Sequence, residues 1–129
     1  ISHDVLIKAR KGVYSKENIC DLPKHHVFNN FTKIRETNEY QINKEISDLV
    51  MFREFNLVYG DYSLFENLKF DIIFIRNVMI YFDTITNTKV IKNLVKQLNS
   101  GGYLFIGHSE SLLSHEGLSY VAPSIYRKI

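Results

Sequence analysis

Arg76 and Asn77 sit at the end of a long apolar run, FDIIFIRNVMIYF at residues 70–82. A strand that is apolar on both faces reads as a central parallel strand, because a half-exposed strand would alternate. Open α/β sheets bind ligands just beyond the carboxyl ends of their strands. A cation and an amide delivered there therefore mark a candidate binding site. A second polar cluster, Gly107-His108-Ser109-Glu110, ends the strand-like run Tyr103–Ile106, and Asn56-Leu57 ends a third run, Leu49–Phe55. Tyr81 follows the Arg76-Asn77 pair at the entry to a helical stretch. His25 and His26 are adjacent rather than one helical turn apart, so a metal site is not expected. No G-x-G occurs anywhere, which argues against a nicotinamide dehydrogenase and its phosphate-binding glycines.

The elements that must hold these groups can be read from periodicity. After Asp83 the apolar residues Val90, Ile91, Leu94, Val95 and Leu98 fall on one face of a helix. Asp83 or Thr84 suits its N-cap and Gly101-Gly102 its end. Two short strands, near Leu118–Val121 and Ser124–Arg127, close the chain around a turn at Pro123. Near the start, a helix carries Val5, Leu6 and Ala9, with Ser2 or Asp4 as its cap and Gly12 at its exit. A shorter helix runs from Ser15 to about Leu22 and stops at Pro23. Segment 28–46 places Phe31, Ile34, Tyr40, Ile42 and Ile46 among polar residues and reads as a small antiparallel hairpin. Strand–helix–strand alternation closing on an antiparallel edge indicates a doubly wound α/β sheet.

The totals narrow the classes. A chain of 129 residues has room for one domain, and 45% hydrophobic with 23% charged residues is a globular composition. A net charge of +2, with sixteen Lys/Arg dispersed among fourteen Asp/Glu, argues against nucleic acid as a partner. Cys20 stands alone, which excludes an internal disulfide and suits a reducing cytoplasm. Arg76 interrupts the longest apolar run, so membrane insertion is not expected.

Three segments carry a resemblance: I-R-N-V-M-I-Y-F-D at 75–83, L-N-S-G-G-Y-L-F at 98–105 and I-G-H-S-E-S-L at 106–112. With the opening S-x-D-x-L-x-K-A-R-x-G-x-Y, they closely resemble CheR, the family of S-adenosylmethionine-dependent methyltransferases that act on glutamates of bacterial chemoreceptors. The resemblance implies a Rossmann-like α/β methyltransferase sheet of order 3-2-1-4-5-7-6, partial here and lacking its first two strands. It further implies that residues 1–129 are the C-terminal part of such an enzyme, with 28–46 as its small antiparallel β-subdomain. On this reading the missing strands would lie mid-sheet, leaving Leu49–Phe55 unable to pair with the strand at 71–76.

The resemblance also assigns roles. Asn56, Leu57, Arg76 and Asn77 would contact S-adenosylmethionine or its product S-adenosylhomocysteine, Asn56-Leu57 at the adenine. Tyr81 would stand beside the transferred methyl as the catalytic-site wall. His108, Ser109 and Glu110 would shape the substrate pocket. The implied partners are methyl-accepting chemotaxis receptors in the cytoplasm. The hairpin would dock on them, with Lys33, Arg35 and Lys44 available to an acidic receptor helix. Some members bind a receptor C-terminal pentapeptide through a glycine-rich hairpin loop; here it reads I-R-E-T-N-E-Y-Q, which points to the pentapeptide-independent type. The competing reading is a truncated, non-catalytic receptor-binding module that has lost cofactor binding.

Overall fold

The computed structural model describes residues 3–110, 112 and 116–129, and the chain forms two units, Ile1–Phe55 and Asn56–Ile129. Ser2, one of the two expected helix caps, lies outside the described residues. In the first unit, α1 (His3–Lys11) buries Leu6 and ends at Gly12, whose φ is +62°. A Cβ on Gly12 would stand 2.6 Å from Ile42 Cγ2, so glycine is needed here for both its backbone and its size. After β1 (Val13–Tyr14), Ser15 caps α2 (Lys16–Ile19) by accepting from the Asn18 N–H.

Pro23 ends that stretch and also opens another helix, α3 (Lys24–Asn30). The expected hairpin at 28–46 is therefore shorter: β2 (Phe31–Lys33) and β3 (Tyr40–Ile42), followed by α4 (Lys44–Ser47). Proline is well placed at a helix start, where its missing N–H has no role. β1 adds to the free side of β3, giving an antiparallel sheet of order β1-β3-β2. The hairpin tip closes without glycine, because Asn38 adopts φ +57° and its N–H donates to Ile34 O at 3.1 Å.

Leu49–Phe55, expected to be a strand, belongs to no ladder among the described residues. Leu49 and Met51 are 81% and 73% exposed. An extended apolar segment becomes a strand only when a neighbour accepts its backbone hydrogen bonds, and no described strand does so.

The second unit follows the expected pattern closely. β4 (Phe70–Ile75) pairs in parallel with β5 (Leu98–Ile106) through the crossover helix α5 (Thr84–Gln97). β6 (Leu118–Ala122) and β7 (Ile125–Lys128) form the closing hairpin, in the order β4-β5-β7-β6. That order reproduces the 4-5-7-6 half of the methyltransferase sheet, with its antiparallel edge. β4, expected to be central, is an edge of this sheet. Its two apolar faces fare differently: Ile75 is buried beneath α5, whereas Ile72 and Phe74 are 51% and 67% exposed. Among the described residues of this unit, α5 is the only α-helix, and it packs on one face of the sheet.

The core consists of Val90, Ile91, Leu94 and Val95 from α5 against Ile75, Leu98, Leu104 and Ile106. Each fully buried aliphatic side chain contributes about 1.5–3 kcal/mol. Asp83 caps α5, its Oδ1 accepting from Thr86 N–H at 2.7 Å. Lys69 Nζ donates to the Lys96 carbonyl at 2.8 Å and so satisfies a group in the last turn.

Gly101-Gly102 does not end this helix. The helix stops at Gln97, and β5 runs through both glycines. Gly101 takes φ +79°, the register of β4 against β5 shifts between Phe70 and Ile72, and a Cβ on Gly102 would lie 2.9 Å from Asp71 O. The pair builds an irregular, closely approached stretch of parallel ladder.

Candidate functional site

The carboxyl ends of β4 and β5 lie side by side, since Ile75 and Ile106 are register partners. Beyond Ile75, Arg76 and Asn77 are both exposed, and Asn77 holds the left-handed conformation, φ +59°. Asparagine is among the few residues that occupy this region readily. The chain then bends through a 3-10 turn, Met79–Tyr81, into the Asp83 cap. Asn87 of α5 fixes that bend, its Nδ2 donating to Met79 O at 3.1 Å and Phe82 O at 3.4 Å. The turn drives Met79 into the core, 4% exposed, and sends Tyr81 outward, 80% exposed. Arg76, Asn77 and Tyr81 thus share one tip.

The second tip is 107–110. His108 and Ser109 are exposed, whereas Glu110 is buried. Its carboxylate faces the main chain of both tips. Oε1 accepts from the N–H of Val78 at 3.1 Å and of Met79 at 2.9 Å, and Oε2 from Asn77 at 3.2 Å and Gly107 at 2.6 Å. Gly107 makes this possible: a Cβ there would sit 2.7 Å from both Asn77 Oδ1 and Glu110 Oε2. The Ser124 hydroxyl donates to Gly107 O at 3.3 Å, and Ile106 N–H donates to Ser124 O at 2.9 Å, so the closing hairpin buttresses the same tip.

Asn56 and Leu57 begin the unit. Asn56 Oδ1 accepts from Val58 N–H at 2.9 Å and Tyr59 N–H at 3.0 Å, an Asx turn. Leu57 packs against the core cluster that contains Ile75. Tyr62 Oη donates to Leu57 O at 2.8 Å, and partial burial pushes its phenol pKa up. Asp83, beside the first tip, has its carboxyl held below the usual range by the Thr86 N–H and hydroxyl.

Of the residues singled out by sequence, the structure brings Arg76, Asn77 and Tyr81 onto one tip and His108 and Ser109 onto the adjoining one. Glu110, expected at the substrate pocket, instead turns its carboxylate inward between the tips. Sequence reasoning missed this bridge and the need for Gly107. A glycine three residues before an acidic residue at a strand end was the available signal. Among the described residues no three metal-ligating side chains converge. No helix among them is long and apolar enough to cross a membrane.

The first unit carries a groove of about 690 Å³, lined by Ile19, Val27, Phe31 and Tyr40 together with Lys16, Lys24 and Lys33. Phe28 on its wall is 86% exposed. Of the other two cations expected to face a receptor, Lys44 is paired with Asp48 at 2.7 Å, and Arg35 is exposed at the hairpin tip.

Comparison with known proteins places this geometry in context. Residues 1–126 match the family described as CheR methyltransferase, SAM binding domain. The chemotaxis protein methyltransferase of Borreliella burgdorferi is 35% identical over 128 residues, covering 99% of this chain and 44% of that protein. Chemotaxis protein methyltransferase 2 of Vibrio cholerae is 35% identical over 113 residues, covering 87% of this chain and 38% of the relative. The chemotaxis protein methyltransferase of Escherichia coli is 35% identical over 113 residues, or 86% and 39% of the respective lengths. The chain therefore spans less than half the length of these relatives.

Proposed function

The chain belongs to the CheR methyltransferase SAM-binding domain family, and from that premise we propose that the protein methylates glutamate side chains of methyl-accepting chemotaxis receptors. The observation that supports this most is the exposed Arg76-Asn77 tip at the carboxyl end of a parallel strand, beside a second tip whose His108 and Ser109 are also exposed. An exposed strand-end tip of this kind suits S-adenosylmethionine, which supplies an activated methyl group on its own sulfonium. Arg76 and Asn77 would hold its amino-acid end, and Asn56 with Leu57 its adenine.

Little acid–base work falls to this chain. A glutamate with an ordinary pKa of about 4.3 is already an anion near neutral pH. What remains is alignment and exclusion of water, and alignment can supply roughly 7–11 kcal/mol of barrier reduction. Tyr81 reaches outward from the turn after Asn77 and walls the reacting position. His108 and Ser109 would border the incoming side chain from the adjoining tip. In the first unit, the apolar groove lined in part by Lys16, Lys24 and Lys33 offers a docking surface for an acidic, amphipathic receptor helix.

The test is transfer of labelled methyl from S-adenosylmethionine to receptor fragments by the complete protein. The label should be released by mild alkali, as a carboxylate ester requires; alkali-stable label would exclude glutamate. The second reading is a receptor-binding module without catalysis. Receptor binding without S-adenosylhomocysteine binding would establish it.

A further inference from the structure

Glu110 is a carboxylate that the proposed chemistry does not use. It is 9% exposed, and burial of a carboxylate is costly unless each oxygen is well hydrogen-bonded. Here both oxygens are satisfied by main-chain N–H groups alone: Val78 and Met79 on Oε1, Asn77 and Gly107 on Oε2. The donors come from two separate strand ends, so one side chain ties together the two tips that flank the candidate site. Its own position is fixed locally, because Glu110 N–H donates to Gly107 O at 3.0 Å. One of its ligands is the N–H of Asn77, the residue held at φ +59°.

We propose that Glu110 is a positioning residue for the methyl-donor site, setting the left-handed turn that presents the Asn77 carboxamide and fixing the spacing between the two strand tips. It acts through the main chain and does not itself meet substrate. The inference rests on the reading that this tip binds S-adenosylmethionine. Charge matters as much as shape: an anion can accept four N–H bonds, whereas a carboxamide of the same size offers one acceptor oxygen and one donor NH2 group. In Glu110→Gln, either orientation of the amide sets two main-chain N–H groups against another donor.

The experiment uses the complete protein and S-adenosylhomocysteine as probe. Wild type and E110Q are compared by titration calorimetry at low temperature, with circular dichroism confirming that E110Q is folded. The expected result is at least a tenfold rise in Kd for E110Q. Resonances of the Asn77, Val78, Met79 and Gly107 amides should also shift, and their hydrogen exchange should quicken. A folded E110Q with Kd within twofold of wild type overturns the proposal, even if its Tm is lower, since that is the signature of a purely structural role. If E110Q fails to fold, the wild type decides: addition of S-adenosylhomocysteine should move the Val78, Met79 and Gly107 amide resonances, and unmoved resonances overturn the proposal. Wild type that binds no S-adenosylhomocysteine brings down the functional reading itself, and this inference with it.

Discussion

Replacing Asn77 by glycine and by alanine separates what its backbone does from what its side chain does. At φ +59°, glycine is at ease, whereas a Cβ-bearing alanine costs roughly 1–2 kcal/mol in the left-handed region. Both substitutions remove the carboxamide. In urea denaturation, N77G should therefore exceed N77A in stability by about 1 kcal/mol, the lower end of that range because the residue is exposed and its turn can relax. Affinity should behave differently. A hydrogen bond to a charged group contributes about 1.5–3 kcal/mol, and the exposed position again argues for the lower end. Both variants should bind S-adenosylhomocysteine about tenfold more weakly than wild type, measured by calorimetry on the complete protein. The two assays should thus rank the variants differently: unequal in stability, equal in affinity. N77G binding as tightly as wild type would refute a ligand role for the carboxamide. N77A matching N77G in stability would refute the backbone argument.

Tyr81→Ala should lower kcat for receptor methylation while leaving the Kd for S-adenosylhomocysteine within twofold, since the 80%-exposed ring is assigned to the reacting position and not to cofactor affinity. Leu104→Ala, in a fully buried position on β5, should cost about 2–5 kcal/mol in denaturant titrations. Asp83 has a depressed pKa in the folded protein, so its contribution is fully present above its unfolded value near 4 and fades as pH falls through the lower folded value. Asp83→Asn should therefore be less stable than wild type at pH 7 and pH 5, with the gap closing below about pH 4, which urea midpoints at pH 7, 5 and 3 would check. A receptor C-terminal pentapeptide should show no micromolar binding to the hairpin, because its tip carries Glu36 and Glu39 and no glycine; calorimetry reporting such binding would refute this.

The βαβ core was legible because its signals are local and redundant. The α5 stripe, its Asp83 cap and the run at 70–75 each point to the same elements, and the terminal hairpin is marked by Pro123. The failures share a cause, which is that the deciding partner lies far away in sequence. Gly101-Gly102 looks like a helix end, yet the carbonyls of Phe70 and Asp71 dictate its use. Leu49–Phe55 has strand composition but joins no ladder among the described residues. The positions of Arg76, Asn77 and Tyr81 on one tip followed from strand-end logic. The inward turn of Glu110 did not, because an acidic residue after a strand usually faces water, and only the convergence of main-chain donors from 77–79 and 107 reverses that.

A peptide group looks alike whatever side chain it carries, and Glu110 grips only peptide groups. The loop it secures is consequently indifferent to the letters at 78 and 79 as far as that grip is concerned, although Met79 has separate obligations to the interior. Outward positions such as Ile80 and Tyr81 can be rewritten without loosening the anchorage. Gly107 cannot, since any bulk there collides with the anchor itself. The arrangement behaves as a fixed mount with an exchangeable face, and a library randomised at 80, 108 and 109 would leave the mount intact.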